Sequence, residues 1–466
     1  MQVRVTHSAA HLSGCHIRRV DVYQDLLPLH CAHPGRYPHL LESVLHGTDA
    51  ACFDVLFAFP GASMTLDDRG VLLDERHMDG DFLACMDAWW SEQRIEGPAD
   101  TESPFRGGWF VYLGYELAAR IEPTLRLPAT PPELPSAFVT RFPAAIVRDH
   151  RRRCTLLVAE AGHEPLIEVM ARDLKRGAAT PAQDGAPALE GGLNEDDPAL
   201  YLEAVARVKR YIVDGDVFQV NLSRAWHGRL APGMRACELY RRLRRHNPAP
   251  FAGLATWGET AVISSSPERL ICLRDGTLET RPIAGTRPRA AIESADADFA
   301  RELLAHPKER AEHIMLVDLE RNDLGRVCVP GSVRVSELMA LESYAHVHHI
   351  VSTVRGRPRE GTTPARIIRA VFPGGTITGC PKVRCMEIIA ELEQVGRGAY
   401  TGSMGYLNRD GSLDLNILIR TMVTQDRGIR LRTGGGIVAD SIPERELEET
   451  RAKARGLVLA LAPTNP

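Results

Sequence analysis

Apolar residues come in short runs broken by turn-forming residues over roughly the first third of the chain, the signature of strands. "FDVLFAFPGASMTL" (53–66) and "GVLL" (70–73) predict a hairpin around Asp67-Asp68. "GGWFVYLGYELAARIE" (107–122) predicts a strand running into a helix, and "AAIVRDHRRRCTLLVAE" (144–160) two strands joined by a basic turn. Past residue 198 the period lengthens in places to that of a helix. Asp197-Pro198 caps one with Leu202, Val205, Val208 and Ile212 on a single face and Gly215 as its stop. Further helices are expected from Glu238 to Arg245 and from Pro307, Pro381 and Pro443, the third burying Val383, Met386 and Ile389–Leu392. Strands alternate with these helices to the end, and no internal repeat is visible.

Between these halves, "GAATPAQDGAPALEGGLNEDDP" (177–198) is rich in Gly, Ala and Pro and reads as a flexible surface connection. The expected organisation is 1–176 and 199–466 packed on one core, with 177–198 linking them. At 466 residues the chain is large enough for that core. With 44% hydrophobic and 25% charged residues it has an ordinary globular composition, and a net charge of −4 gives no electrostatic footprint for nucleic acid. The basic run Arg241-Arg242-Leu243-Arg244-Arg245 reads as a solvated helix face. Ten scattered cysteines form no CxxC pair or zinc spacing, which suits free thiols in a reducing compartment. The amino terminus lacks a signal-peptide core and no run reaches membrane-spanning length, so a cytoplasmic location is expected.

Four segments carry residues with chemical potential. In "HPKERAEHIMLVDLERNDLGRV" (306–327), Glu309 and Glu312 fall three apart on one helix face; in "IPERELEETRAKARGLVLALA" (442–462), Glu446 and Glu449 repeat that spacing. Each pair alone also reads as a solvated face. Together, four carboxylates repel unless a hard cation lies between them, and Mg²⁺ suits two direct and two water-mediated carboxylates. "FPGGTITGCPKVRCMEIIAELE" (372–393) is a Gly-rich turn at a helix start, suited to an anion. It narrowly misses a P-loop, because Cys380-Pro381 stands in place of Lys-Ser/Thr, so a carboxylate is favoured over a nucleotide phosphate. "LRTGGGIVADS" (431–441) is read as a strand ending in Gly434-Gly435-Gly436, with amides free of side chains; an ordinary turn explains it equally. Glu268 closes an apolar strand in "SSSPERL" (264–270), a place for acid/base work, and His349 precedes an apolar run in "HVHHIVS" (346–352).

In this order, "GDVFQVNLSR", "SSSPERL", "RPIAGTRPR", "ERAEHIMLVDLERNDLGRV", "HHIVSTV", "FPGGTITGCPKVRCMEIIAELE", "ILIRTM", "TGGGIVADS" and "ERELEETRAKA" resemble the motifs of the chorismate-utilising enzymes. The resemblance covers most of 200–460 and, less sharply, the first 170 residues. It implies an α+β fold: a large sandwich of two antiparallel sheets flanked by helices. It implies Mg²⁺ on Glu312 and Glu449, with Glu309 and Glu446 acting through water, gripping one carboxylate of chorismate. The other carboxylate would be held by the amides of Gly434, Gly435 and Gly436 with Tyr400 and Arg420, helped by Lys453. Glu268 matches the general acid/base, His349 an active-site histidine, and Thr376 a substrate-facing hydroxyl, while Thr286 and the Ala284 position are expected to complete the catalytic set.

Within the family, members that add water carry a lysine base where this chain has Gln219, so the resemblance points to ammonia, delivered by a glutamine amidotransferase subunit. Asn221 and "FPGGTITG" resemble the aminodeoxychorismate branch, which makes 4-amino-4-deoxychorismate for p-aminobenzoate and folate. Ala284 resembles the anthranilate branch, because many aminodeoxychorismate synthases have a lysine nucleophile there. Leu41-Glu42-Ser43 and Pro250-Phe251 resemble the walls of a tryptophan pocket, although a capped helix and a proline turn are the plain alternatives. The expectation is aminodeoxychorismate synthase component I; anthranilate synthase component I, or a non-catalytic chorismate-binding homologue, are the alternatives.

Overall fold

The computed structural model describes residues 14–44, 52–96, 102–177, 186–288, 301, 307–343 and 347–462. Their strands form two twelve-stranded sheets whose neighbours pair antiparallel. One sheet runs from Cys15–Val20 through Cys154–Glu160, Ala144–Asp149, Phe53–Ala58, His39–Glu42, Phe251–Trp257, Thr260–Ser266, Thr421–Gln425 and Gly428–Ile437 to Gln219–Arg229 and Asn194–Glu195. The other runs from Ile283–Pro288 through Val347–Gly356 and Arg269–Arg274 to Gly108–Leu113 and Arg76–Met78. Both sheets mix strands from the two halves of the chain, so the halves share one core, and the fold is the expected α+β sandwich.

Period-2 geometry explains why these strands look apolar throughout. Side chains alternate faces along a strand. Val55 and Phe57 enter the layer between the sheets, where they meet Phe110, Tyr112, Phe138, Phe142 and Val147, whereas Leu56 and Ala58 face outward. Outside one sheet lie the helices Leu27–Ala32, Pro165–Arg176, Ala236–His246 and Pro443–Leu461; outside the other lie Phe82–Gln93, Pro307–Gly325 and Pro364–Val371. A strand covered on both faces has no polar side to display.

Three local readings are revised. The 53–66 run is not one arm of a hairpin: Phe59 takes φ +61°, and the chain passes from Phe53–Ala58 in one sheet to Ser63–Asp67 in the other. The hairpin at Asp67-Asp68 joins Ser63–Asp67 to Gly70–Leu73 only. Residues 178–185 of the expected connection lie outside the described residues, but the rest is not loose, since Ala188 is buried and Asn194–Glu195 extends a sheet edge. The basic run is no solvated face either. Arg242 is buried and donates to Ala186 O at 2.6 Å, while Arg244 pairs with Asp25 and with Glu42 at 3.0 Å.

Candidate active site

Strand Gln219–Arg229 pairs with Gly428–Ile437 so that Asn221 faces Gly436, Leu222 faces Gly435 and Ser223 faces Gly434. The three glycines therefore lie within a strand rather than in a turn beyond it, because the long partner strand continues beside them. The amides of Asn221 and Ser223 donate away from this ladder, to Thr378 O and Glu393 Oε1, each at 2.8 Å. Leu222 and Gly435 thus form the hydrogen-bonded pair, and the N–H groups of Gly434 and Gly436 point to the opposite edge. There the next strand has stopped, its pairing with this one spanning only Met422–Leu431 to Gln425–Gly428.

What crowds that edge defines a site. A Cβ placed on Gly434 would lie 2.8 Å from Tyr400 Oη, and one on Gly436 only 2.1 Å from Gln219 Nε2 and 3.3 Å from Glu312 Oε1. On Gly435 it would lie 3.5 Å from Glu446 Oε2 and 3.6 Å from both Glu449 Oε1 and Lys453 Nζ. Carboxylates from the helices Pro307–Gly325 and Pro443–Leu461 thus converge on one bare stretch of backbone. Lys453 donates to Gly434 O at 2.9 Å and pairs with Glu449 at 2.7 Å; Arg420, at φ +52°, donates to Lys453 O at 2.9 Å. Among the described residues no three such ligands already close on one point, and the Glu309 side chain lies outside them. The donor set, all carboxylate oxygen beside a lysine that neutralises one of them, fits a hard divalent cation.

Glu268 is 4% exposed, and its Oε1 has no hydrogen-bond partner. Burial pushes its carboxyl up to about 8, and Glu320 pushes it further, while the Ile283 backbone and Lys453 pull it down. Gln219 Oε1, Asn221 Oδ1 and Thr376 Oγ1 are likewise buried without partners. Asn221 Nδ2 donates to Thr376 O at 3.4 Å, so these groups belong to one site. Several unmatched polar atoms in one place are what a polar ligand satisfies. The strand bearing His349 pairs with Ile283–Pro288, setting Ala284 opposite Ile350 and Thr286 opposite His349, and His349 Nδ1 lies 3.3 Å from Gly285 O. The side chains of Ala284 and Thr286 lie outside the described residues.

A family model described as "chorismate binding enzyme" matches residues 52–458. The chain belongs to the chorismate-binding enzyme family. It is 42% identical over 391 residues to anthranilate synthase component 1 of Streptomyces coelicolor, covering 79% of this chain and 75% of that protein. It is 40% identical over 395 residues to aminodeoxychorismate synthase component 1 of Bacillus subtilis, covering 82% and 83%. The crystal structure of anthranilate synthase component I from Streptococcus pneumoniae superposes with a TM-score of 0.79 at 30% identity, covering 89% of this chain and 93% of that one. The chain is thus a chorismate-utilising enzyme of the anthranilate/aminodeoxychorismate synthase component I kind.

In this chorismate-binding chain, Leu41, Glu42, Ser43, Pro250 and Phe251 do come together. They line one cavity between the sheets with Phe53, Val55, Met404, Asn416 and Arg269. His39–Glu42 is a strand rather than a helix. Behind the pocket, Arg244 and Arg148 meet Glu42 and Asp54, and burial pushes the Glu42 carboxyl up to about 7.

Two buried charge clusters escaped the sequence reading. Glu393 meets Arg397 at 2.7 Å, Arg432 at 2.9 Å and Ser223 Oγ at 2.8 Å, bracing the strands behind Gly434. Lys382 meets Asp323 at 2.5 Å beside Glu320, which accepts from Thr280 Oγ1 at 2.9 Å. The i,i+3 spacing of Glu320 and Asp323 was the available signal.

Proposed function

We propose that this chain is component I of aminodeoxychorismate synthase: chorismate and ammonia give 4-amino-4-deoxychorismate and water. The observation that carries the choice of nucleophile is Gln219, a side chain that cannot deprotonate water, whose Nε2 lies 2.1 Å from where a Cβ on Gly436 would be. Asn221 supports the aminodeoxychorismate product, because it brings an unmatched acceptor beside Thr376 suited to an incoming amine. The amides of Gly434 and Gly436, with Tyr400, Arg420 and Lys453, hold one carboxylate of chorismate. Glu309, Glu312, Glu446 and Glu449 would hold Mg²⁺, which when bound supplies the positive charge that grips the other carboxylate.

Glu268 enters protonated, since burial keeps its proton on at neutral pH, and donates it to the departing ring hydroxyl. As a carboxylate it then takes a proton from the incoming amine. With Ala284 in place of lysine, a small nucleophile adds at C2 and ammonia displaces it with entry at C4. His349 lies beside the ring, and a separate glutamine amidotransferase subunit delivers ammonia.

Anthranilate synthase is the second reading, favoured by Ala284 and by a pocket that could take tryptophan. One incubation separates them. The chain, chorismate, Mg²⁺ and an ammonium salt are combined and the products resolved by chromatography. Release of p-aminobenzoate only after adding an aminodeoxychorismate lyase supports the first reading; anthranilate formed without the lyase overturns it.

A further inference from the structure

Arg397 is a buried cation with no part in the chemistry just described. It is 2% exposed and sits in the turn between the helix Lys382–Glu393 and the strand Ser403–Asn408. Its guanidinium makes five hydrogen bonds, one for each N–H it carries. Nε and Nη2 donate to the two oxygens of Glu393 at 3.0 and 2.7 Å. Nη2 also donates to Asn221 O at 2.7 Å, and Nη1 to Ile377 O at 3.2 Å and Thr401 Oγ1 at 3.4 Å. One side chain thus fastens together the strand Gln219–Arg229, the Gly-rich turn and the turn that carries Tyr400.

The guanidinium also lies between two rings, its carbon 4.9 Å from the centre of Tyr115 and 5.5 Å from that of Tyr400, within cation–π range. At the far end of Tyr400, Oη lies 2.8 Å from where a Cβ on Gly434 would be. Arg397 therefore backs the ring whose hydroxyl meets the bare glycine strand. The turn itself is held from the amino-terminal half. Gln394, Gly398 and Thr401 take φ of +55°, +59° and +62°, a conformation that Gln and Thr keep only where their surroundings enforce it. Glu116, on the short helix Tyr115–Leu117, accepts from Arg397 N at 2.6 Å and from Gly398 N at 3.1 Å, and Tyr115 N donates to Gly398 O at 2.9 Å.

We propose that Arg397 is a positioning residue for the substrate: held from behind by Glu116, it fixes the Tyr400 ring so that the hydroxyl stands beside Gly434 before a chorismate carboxylate arrives. The proposal rests on the reading of Tyr400 as a ligand of that carboxylate, and it gives the amino-terminal half a part in substrate binding. A ring fixed in advance loses little freedom when substrate binds, so the gain is in affinity. Lysine has one nitrogen and no plane to stack on a ring, so it cannot span Glu393, Asn221 O and Ile377 O together.

The test is a double-mutant cycle on KM and kcat for chorismate, followed as chorismate consumption with Mg²⁺ and an ammonium salt, in wild type, Arg397→Lys, Tyr400→Phe and the double variant. Each single change should raise KM about tenfold, the scale of a hydrogen bond to a charged group, and leave kcat little changed because Glu268 is untouched. The double variant should also stay near tenfold, not about a hundredfold, since Arg397 acts through the Tyr400 hydroxyl. If Tyr400→Phe raises KM, three results overturn the proposal and leave the Tyr400 reading standing: losses that multiply, an unchanged KM in Arg397→Lys, or a fall in its kcat alone. An unchanged KM in Tyr400→Phe overturns both. Should Arg397→Lys not fold, Glu116→Ala replaces it in the cycle and is judged by the same outcomes, because it strips the Arg397 and Gly398 amides of their acceptor and leaves the guanidinium in place.

Discussion

Glu268 and Arg269 are neighbours in the chain but face different sites. Glu268 is buried with its Oε1 unpartnered, and Lys453, which reaches Gly434 O, is among the charges that act on its carboxyl. Arg269 lines the cavity between the sheets, holding Asp414 at 2.9 Å with its guanidinium 4.9 Å from the Phe251 ring. The bend after Thr260–Ser266 sends alternate side chains to opposite sides, so one short segment touches both places where small molecules are expected.

Replacing Glu268 by Gln should reduce ammonia-dependent turnover by about 10²–10⁴-fold, the scale of general acid/base catalysis. It should also stabilise the fold in base. Between the ordinary carboxylate range and about pH 8 the folded chain keeps a proton that the unfolded chain has released, so wild-type stability falls as pH rises through that window. Gln lacks that slope. Denaturant melts at neutral and alkaline pH should show the variant gaining on the order of 1–3 kcal/mol at the alkaline end; equal slopes would refute the raised carboxyl.

The glycines should separate by position. A Cβ on Gly434 would lie 2.4 Å from Leu222 O, a backbone atom, so Gly434→Ala should cost about 1–3 kcal/mol in thermal or urea melts. At Gly435 the nearest atoms are at 3.5–3.6 Å, ordinary contact distance, and all belong to Glu446, Glu449 and Lys453. Gly435→Ala should therefore fold within about 0.5 kcal/mol of wild type yet raise KM for chorismate. Unchanged KM would move the substrate carboxylate elsewhere.

Removal of Mg²⁺ with a chelator should abolish turnover, and Glu449→Gln should weaken Mg²⁺ binding, followed by calorimetry, by about tenfold or more. Equal Mg²⁺ affinity in the variant would exclude Glu449 from the metal site.

If the cavity takes tryptophan, adding it should raise the melting temperature, with about 2.7 kcal/mol of stabilisation at a hundredfold excess over Kd. Ser43→Phe should abolish that shift while leaving ammonia-dependent turnover in place. A shift that survives in the variant would place tryptophan outside this cavity.

Changing Ala284 to Lys should give an amine that reaches C2 of the ring and a covalent adduct visible by mass spectrometry. Continued turnover with no adduct would show that the position does not face the ring.

Much of this was legible beforehand because it is local. The cap at Asp197, the proline start at Pro443, the short apolar strand runs and the i,i+3 carboxylate pairs each depend on residues a few positions apart. The Gly434–Gly436 turn was misread because a strand interior and a strand end look alike until the partner strand is known. Arg242 and Arg244 were misplaced for the same reason: what neutralises them, Ala186 O, Asp25 and Glu42, lies far away in sequence.

The sequence by itself determined the secondary structure of most segments, the two acidic pairs and the family. Tertiary structure alone decided what those residues mean to one another. Only the register of 219–229 against 428–437 turns the Gly434 and Gly436 amides to the open edge and sets Gly435 under Glu446, Glu449 and Lys453. The reason is physical: hydrogen-bonding and helical periodicity act over a few residues, whereas burial and charge coupling depend on which distant segments remove one another from water.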